Sequence, residues 1–152
     1  MDGTRAAIER FVSGKTLAVV GVSAGSRGFG RAAYRELKTR GYRPFPIHPT
    51  ADVIDGDPCY RRVEDLPEQV DRLLVVVKPD RAEQVVRDAA SAGIRQIWLQ
   101  QGASSPGTIE LCRQLGLEAV HGHCILMFAE PAASFHRFHR WLWGLLGKIP
   151  RA

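Results

Sequence analysis

The chain has only three cysteines, Cys59, Cys112 and Cys124, in 152 residues. Their number is odd and their spacing unpaired, which argues against a disulfide framework and against a zinc ribbon. No apolar run is long enough to span a bilayer, and Asp2, Arg5, Glu9 and Arg10 interrupt the N-terminal apolar residues as no signal peptide would. No membrane span and a cytoplasmic location are therefore expected. Internal repeats, low-complexity tracts and an interdomain linker are also lacking. No spacing joins a nucleophile to a base, so no catalytic residue is assigned. His121 and His123 precede Cys124, and His136 and His139 lie one helical turn apart. Nothing in the sequence fixes these two segments together, so no metal is assigned either.

What is present describes an ordinary soluble domain. Hydrophobic residues make up 45% of the chain and charged residues 24%, enough to build one core, so residues 1–152 are read as a single domain with its centre at 14–130. The net charge of +5 favours an anionic partner, but its spread along the chain serves solubility equally well. No nucleic-acid motif accompanies it, so nucleic acid is not expected as a partner.

Ile8, Phe11 and Val12 have helical spacing and predict a lead-in helix over 3–13, followed by a buried strand at 16–22. Phe29, Ala33 and Leu37 recur every four residues in a second helix that ends at Gly41. Tyr42–Ile47 reads as the next strand, although Pro44 and Pro46 each lack a ladder donor and predict short or irregular pairing there. Further strands are predicted at 71–77, 94–99 and 117–120, with helices at 80–92 and 106–115. The long segment 48–66 carries a short helical turn near Val63. This alternation predicts an α/β fold: a Rossmann-like, doubly wound sheet of about five parallel strands with helices on both faces. An extra amphipathic helix is expected at 133–147, where Phe135, Phe138, Leu142 and Leu145 form one stripe. It either folds back or contributes to a homodimer.

The first strand runs into Gly21-Val22-Ser23-Ala24-Gly25-Ser26, a small-residue turn of the kind that brings backbone amides and a helix N-terminus close to a phosphate. Compared with the dinucleotide pattern G-x-G-x-x-G, Ser23 stands where the second glycine belongs. The end of the second strand offers Ile47, His48 and Pro49 instead of the acidic residue that holds an NAD ribose, which counts against NAD. A neutral or cationic end suits a ligand with a phosphate on its adenosine ribose, such as NADP or coenzyme A (CoA).

The motifs then resemble a known family, the small stand-alone CoA-binding proteins, whose domain is similar to the CoA-binding domain of the succinyl-CoA synthetase alpha subunit. The likeness spans nearly the whole chain. It rests on Val20-Gly21-Val22-Ser23 before Phe29-Gly30, Gly41-Tyr42-Arg43 leading to His48-Pro49, and Ile54-x-Gly56 followed by Cys59-Tyr60 and Leu66-Pro67. It continues through Val75-Val76-Val77-Lys78-Pro79, Trp98-Leu99-Gln100-Gln101-Gly102 and His121-Gly122-His123-Cys124-Ile125. His48 departs from the asparagine common before the proline.

The resemblance implies CoA, or an acyl-CoA, as the ligand. Its diphosphate would lie over Gly21, Val22 and Ser23, with Arg27 adding a charged contact. His48 and Pro49 would border the adenosine. Lys78 and Pro79 follow the third strand at its carboxyl end, where open parallel sheets bind ligands, and Lys78 is expected to meet a phosphate. Gln100 to Gly102 would face the pantetheine arm. A lone Cys124 flanked by Ile125, Leu126 and Met127 reads as a buried apolar residue. The expectation is a CoA-binding protein without catalysis of its own. The alternative is an NADP-dependent oxidoreductase or an acyl-CoA-handling enzyme that works with a partner subunit.

Overall fold

In a computed structural model of the protein, residues 2–25 and 28–129 are described. The expected C-terminal helix over 133–147, His136, His139 and Arg27 lie outside the described residues.

Among the described residues five strands, β1 (Thr16–Val20), β2 (Arg43–Ile47), β5 (Arg72–Val75), β6 (Gln96–Leu99) and β7 (Glu118–His121), form one parallel sheet. Two further strands, β3 (Val53–Ile54) and β4 (Asp57–Pro58), make a separate antiparallel hairpin. The large sheet is ordered β2-β1-β5-β6-β7. Its direction of growth reverses between β1 and β5, and such a switch point opens a crevice at the carboxyl ends of the strands.

Among the described residues four helices cover the sheet: α1 (Asp2–Ser13), α2 (Phe29–Thr39), α3 (Pro79–Ser91) and α4 (Pro106–Gln114). Alternate residues of each strand enter opposite cores. Leu17, Val19, Leu74, Trp98 and Val120 pack with Phe11 of α1 and with Ala33, Tyr34 and Leu37 of α2. Ala18, Leu73, Val75, Ile97 and Leu99 pack with Ala82 and Val86 of α3 and with Leu111 of α4. Burial on both faces is why residues 17–20, 73–75 and 97–99 read as unbroken apolar runs. Trp98 anchors the first core edge-on to Phe11, ring centroids 5.4 Å apart, while its indole N–H donates to the His123 carbonyl at 3.0 Å.

Several strand expectations need correction: the strand expected at 71–77 is Arg72–Val75 and that at 94–99 is Gln96–Leu99. The first strand ends at Val20 rather than at residue 22, because Gly21 takes φ +109° and leaves the ladder. The prolines of β2 do not shorten its pairing: all five residues are in register with Thr16–Val20. The Arg43 amide donates inward to Lys15, and the Pro46 carbonyl accepts from Tyr60 on the other side. Because β2 is an edge strand and alternate residues point opposite ways, Pro44 and Pro46 turn their missing donors away from β1.

The hairpin was not foreseen. Asp55 and Gly56 take φ +54° and +81°, a two-residue turn with both centres in the left-handed region, for which Asp-Gly is a favoured pair. Between β2 and β5 the only helix is the single 3-10 turn Val63–Asp65. With no full crossover helix there, a groove of about 340 Å³ remains over Val20, Ile47 and Leu73, bounded by Val63, Val85 and Arg81.

Candidate functional site

The site is built from the turns that leave the carboxyl ends of the strands. At the switch point, a Cβ on Gly21 would overlap the Val76 carbonyl oxygen, and a Cβ on Gly30 would overlap the carbonyl of Gly21. Only glycine fits at either position. The role of close helix-to-strand packing therefore falls to Gly30, inside α2.

Helix α2 begins after Gly28 with no side-chain cap, and α3 begins after Lys78, also uncapped, with Pro79 in its first turn. By contrast, the Ser105 hydroxyl accepts the Thr108 amide at the start of α4. The two uncapped N-termini flank the switch point, and their free amides and dipole ends favour an anion there.

The residues expected from the sequence fall as follows. Val22 is buried, so only its backbone faces the turn. Ser23 is exposed, and its Oγ accepts the Gly25 amide at 3.1 Å, which leaves the hydroxyl proton free to donate. His48 is half-buried and Pro49 exposed at the end of β2. Nδ1 of His48 accepts the amides of Thr50 at 3.1 Å and Ala51 at 2.8 Å. The imidazole thus does what an asparagine oxygen does in an Asx turn, accepting amides two and three residues on. Arg61 holds the same loop from its carbonyl side, bonding the Ala51 and Thr50 oxygens and the Asp52 carboxylate.

Lys78, which precedes α3, is exposed and forms no ion pair with any described residue. Gln100, expected to face a pantetheine arm, is only 3% exposed, and its Oε1 accepts the Ile125 amide at 3.1 Å. The exposed part of that corner is Gln101 and Gly102. Cys124 lies beside Gln100 in the interior; burial pushes its thiol up, against hydrogen bonds from Gln100 and the Leu126 and Met127 amides. Among the described residues no cluster of His, Cys, Asp or Glu could hold a metal ion, and no helix is long and apolar enough to cross a membrane.

Sequence reasoning missed the cluster behind the phosphate-type turn. Asp57 of the hairpin accepts hydrogen bonds from Tyr34 and Lys38 of α2. Burial pushes the Asp57 carboxyl up, but the bonds from Lys38 and Tyr34 and the Lys38 charge outweigh it and hold the group below its ordinary value. Asp55 is ringed by Arg35 at 3.1 Å, Lys38 at 3.6 Å and Arg31 at 3.9 Å. The basic spacing Arg31, Arg35, Lys38 followed by Asp55-x-Asp57 was the available signal.

Comparison with known proteins bears on the family and the fold. The family model for the CoA binding domain matches residues 15–130. An ADP-forming acetate–CoA ligase of Methanocaldococcus jannaschii is 29% identical over 98 residues, covering 64% of this chain and 14% of the ligase. The ADP-forming acetate–CoA ligase I of Archaeoglobus fulgidus is 24% identical over 143 residues, covering 88% of this chain and 21% of its own length. The chain thus spans about a fifth or less of these two curated relatives. Among solved structures, a conserved hypothetical protein of Pyrococcus furiosus superposes with a TM-score of 0.69 at 34% identity, over 73% of this chain and 96% of that one. A dinucleotide-forming acetyl-coenzyme A synthetase of Korarchaeum cryptofilum, in complex with phosphate and ADP, gives 0.64 at 26% identity over 74% of this chain and 26% of its own. With its sheet order, its glycine-lined first turn and a family match over most of its length, this chain belongs to the CoA-binding domain family.

Proposed function

We propose that the protein binds CoA or an acyl-CoA at the carboxyl ends of β1, β2, β5 and β6 and performs no chemistry on it alone. The observation that carries this reading is the approach of Gly21 to Val76 over Gly30, which leaves a wall of bare backbone between two uncapped helix ends. A diphosphate suits that wall, with Ser23 donating its hydroxyl proton and Lys78 supplying charge. Pro49 borders both the turn after β2 and the groove over Val20, a position suited to the adenosine. The pantetheine arm then runs past Gln101 and Gly102. The absence of an acidic residue after Ile47 supports a ribose carrying phosphate, which CoA shares with NADP.

Calorimetric titration with CoA, acetyl-CoA, NADP and NAD tests the reading. CoA and acetyl-CoA should bind, and Lys78→Ala should weaken both about tenfold, as expected for one charged contact to phosphate in an open site. NADP heat without CoA heat would overturn the assignment in favour of an oxidoreductase. An unchanged affinity in the lysine variant would remove Lys78 from the site.

A further inference from the structure

Arg31 sits in the first turn of α2, where a positive charge opposes the helix dipole. Its side chain is only 13% exposed, so solvent does not account for its place. One nitrogen, Nη1, donates to the carbonyls of both Ser23 and Ala24, each at 3.3 Å. The other, Nη2, lies 3.9 Å from Oδ1 of Asp55, the first central residue of the hairpin turn. The guanidinium thus spans two segments that share no strand pairing: the turn after β1 and the β3–β4 hairpin.

This contact sets the orientation of the turn. A trans peptide points its N–H opposite to its C=O, so holding the carbonyls of Ser23 and Ala24 toward Arg31 directs the amides of Ala24 and Gly25 the other way. The Gly25 amide is taken by Ser23 Oγ. That bond in turn fixes the hydroxyl, and the Ala24 amide faces away from the guanidinium. Asp55 is itself braced by Arg35 and Lys38, which share α2 with Arg31, so three basic side chains of one helix hold the hairpin carboxylate.

We propose that Arg31 is a positioning residue that couples the β3–β4 hairpin to the diphosphate turn, so that the amides presented to the ligand are ordered through Asp55. The proposal rests on the CoA reading for its ligand but not for its geometry. A simple field argument and this coupling predict opposite signs for one substitution. Asp55→Asn removes a negative charge near the turn, which by field alone tightens an anionic ligand. Coupling requires it to weaken CoA instead.

The test uses the full chain with Asp55→Asn, Arg31→Lys, Arg31→Gln and the Asp55→Asn/Arg31→Gln pair. Titration with CoA and with ADP, which carries the diphosphate without the pantetheine arm, is read beside amide hydrogen exchange of residues 22–25 in the ligand-free protein. Each single variant should weaken both ligands by about fivefold or more, with the pair no weaker than Arg31→Gln alone. Exchange at residues 22–25 should quicken in every variant. Arg31→Lys should fare as badly as Arg31→Gln, because a single ammonium cannot reproduce the fork. Tighter CoA binding by Asp55→Asn, or unchanged exchange in the variants, would overturn the coupling. A wild-type protein that binds neither ligand would overturn the CoA reading, while the exchange data would still decide the coupling.

Discussion

Replacing Gly30 by alanine sets two physical effects against each other. In a helix interior, glycine to alanine is worth about 0.5–1 kcal/mol of added stability, because alanine has less backbone entropy to lose on folding. At Gly30 the new methyl would overlap the carbonyl of Gly21, which itself rests against Val76, so neither neighbour is a flexible side-chain end. Forcing a methyl into well-packed surroundings costs about 1–3 kcal/mol. The expected net effect is a loss of roughly 0.5–2 kcal/mol, a fall in melting temperature of a few degrees for a chain of this size. Gly107, in the first turn of α4, is the matched control: its added Cβ would crowd the Glu83 carboxylate, which can swing aside, and meet Ser105 Oγ at ordinary contact distance. Gly107→Ala should therefore be neutral or stabilising. Paired denaturation curves in urea, with CoA titrations of each variant, read both effects. Gly30→Ala should also weaken CoA, since the Gly21 peptide must move. A Gly30→Ala protein as stable as its parent, with unaltered CoA affinity, would refute the assignment of Gly30 as the packing glycine.

Two other outcomes follow from single contacts. His48→Asn should keep CoA affinity within about twofold, because an asparagine oxygen can accept the same two amides, whereas His48→Ala should weaken it measurably and speed proteolysis at 49–52. Equal behaviour of the two variants in titration and limited digestion would contradict that role. The lowered Asp57 carboxyl contributes stability that is complete above its ordinary 3.8 and is lost as pH falls through the still lower folded value. The group is partly exposed, so the contribution is under about 1 kcal/mol. Asp57→Asn should flatten the part of the acid limb below about pH 4 that this group supplies, and an unchanged limb in pH-dependent unfolding would dismiss it.

The alternation of strands and helices was legible because its causes are local. A strand buried on both faces, such as Leu17 to Val20 or Leu73 to Val75, must be apolar throughout, and Phe29, Ala33 and Leu37 recur at the helical period because one face of α2 meets the sheet. The glycine-rich turn was legible for the same reason, as a short run of residues with unusual backbone freedom. The small hairpin carried a local sign too, in Asp55-Gly56, but two-residue strands are too short to show an alternating pattern.

The chain alone therefore determined the periodicities, and with them the fold class, the place of the first turn and the members of the family motif. Tertiary structure decided which backbone groups approach one another. It put Gly30 against the strand, made β2 an edge where Pro44 and Pro46 are harmless, turned Gln100 into the interior and set Arg31 between the Ser23 and Ala24 carbonyls and Asp55. Each of these depends on how different elements of the fold meet. Spacing along the chain carries no record of such a meeting, because it is set by the packing of the sheet and its helices.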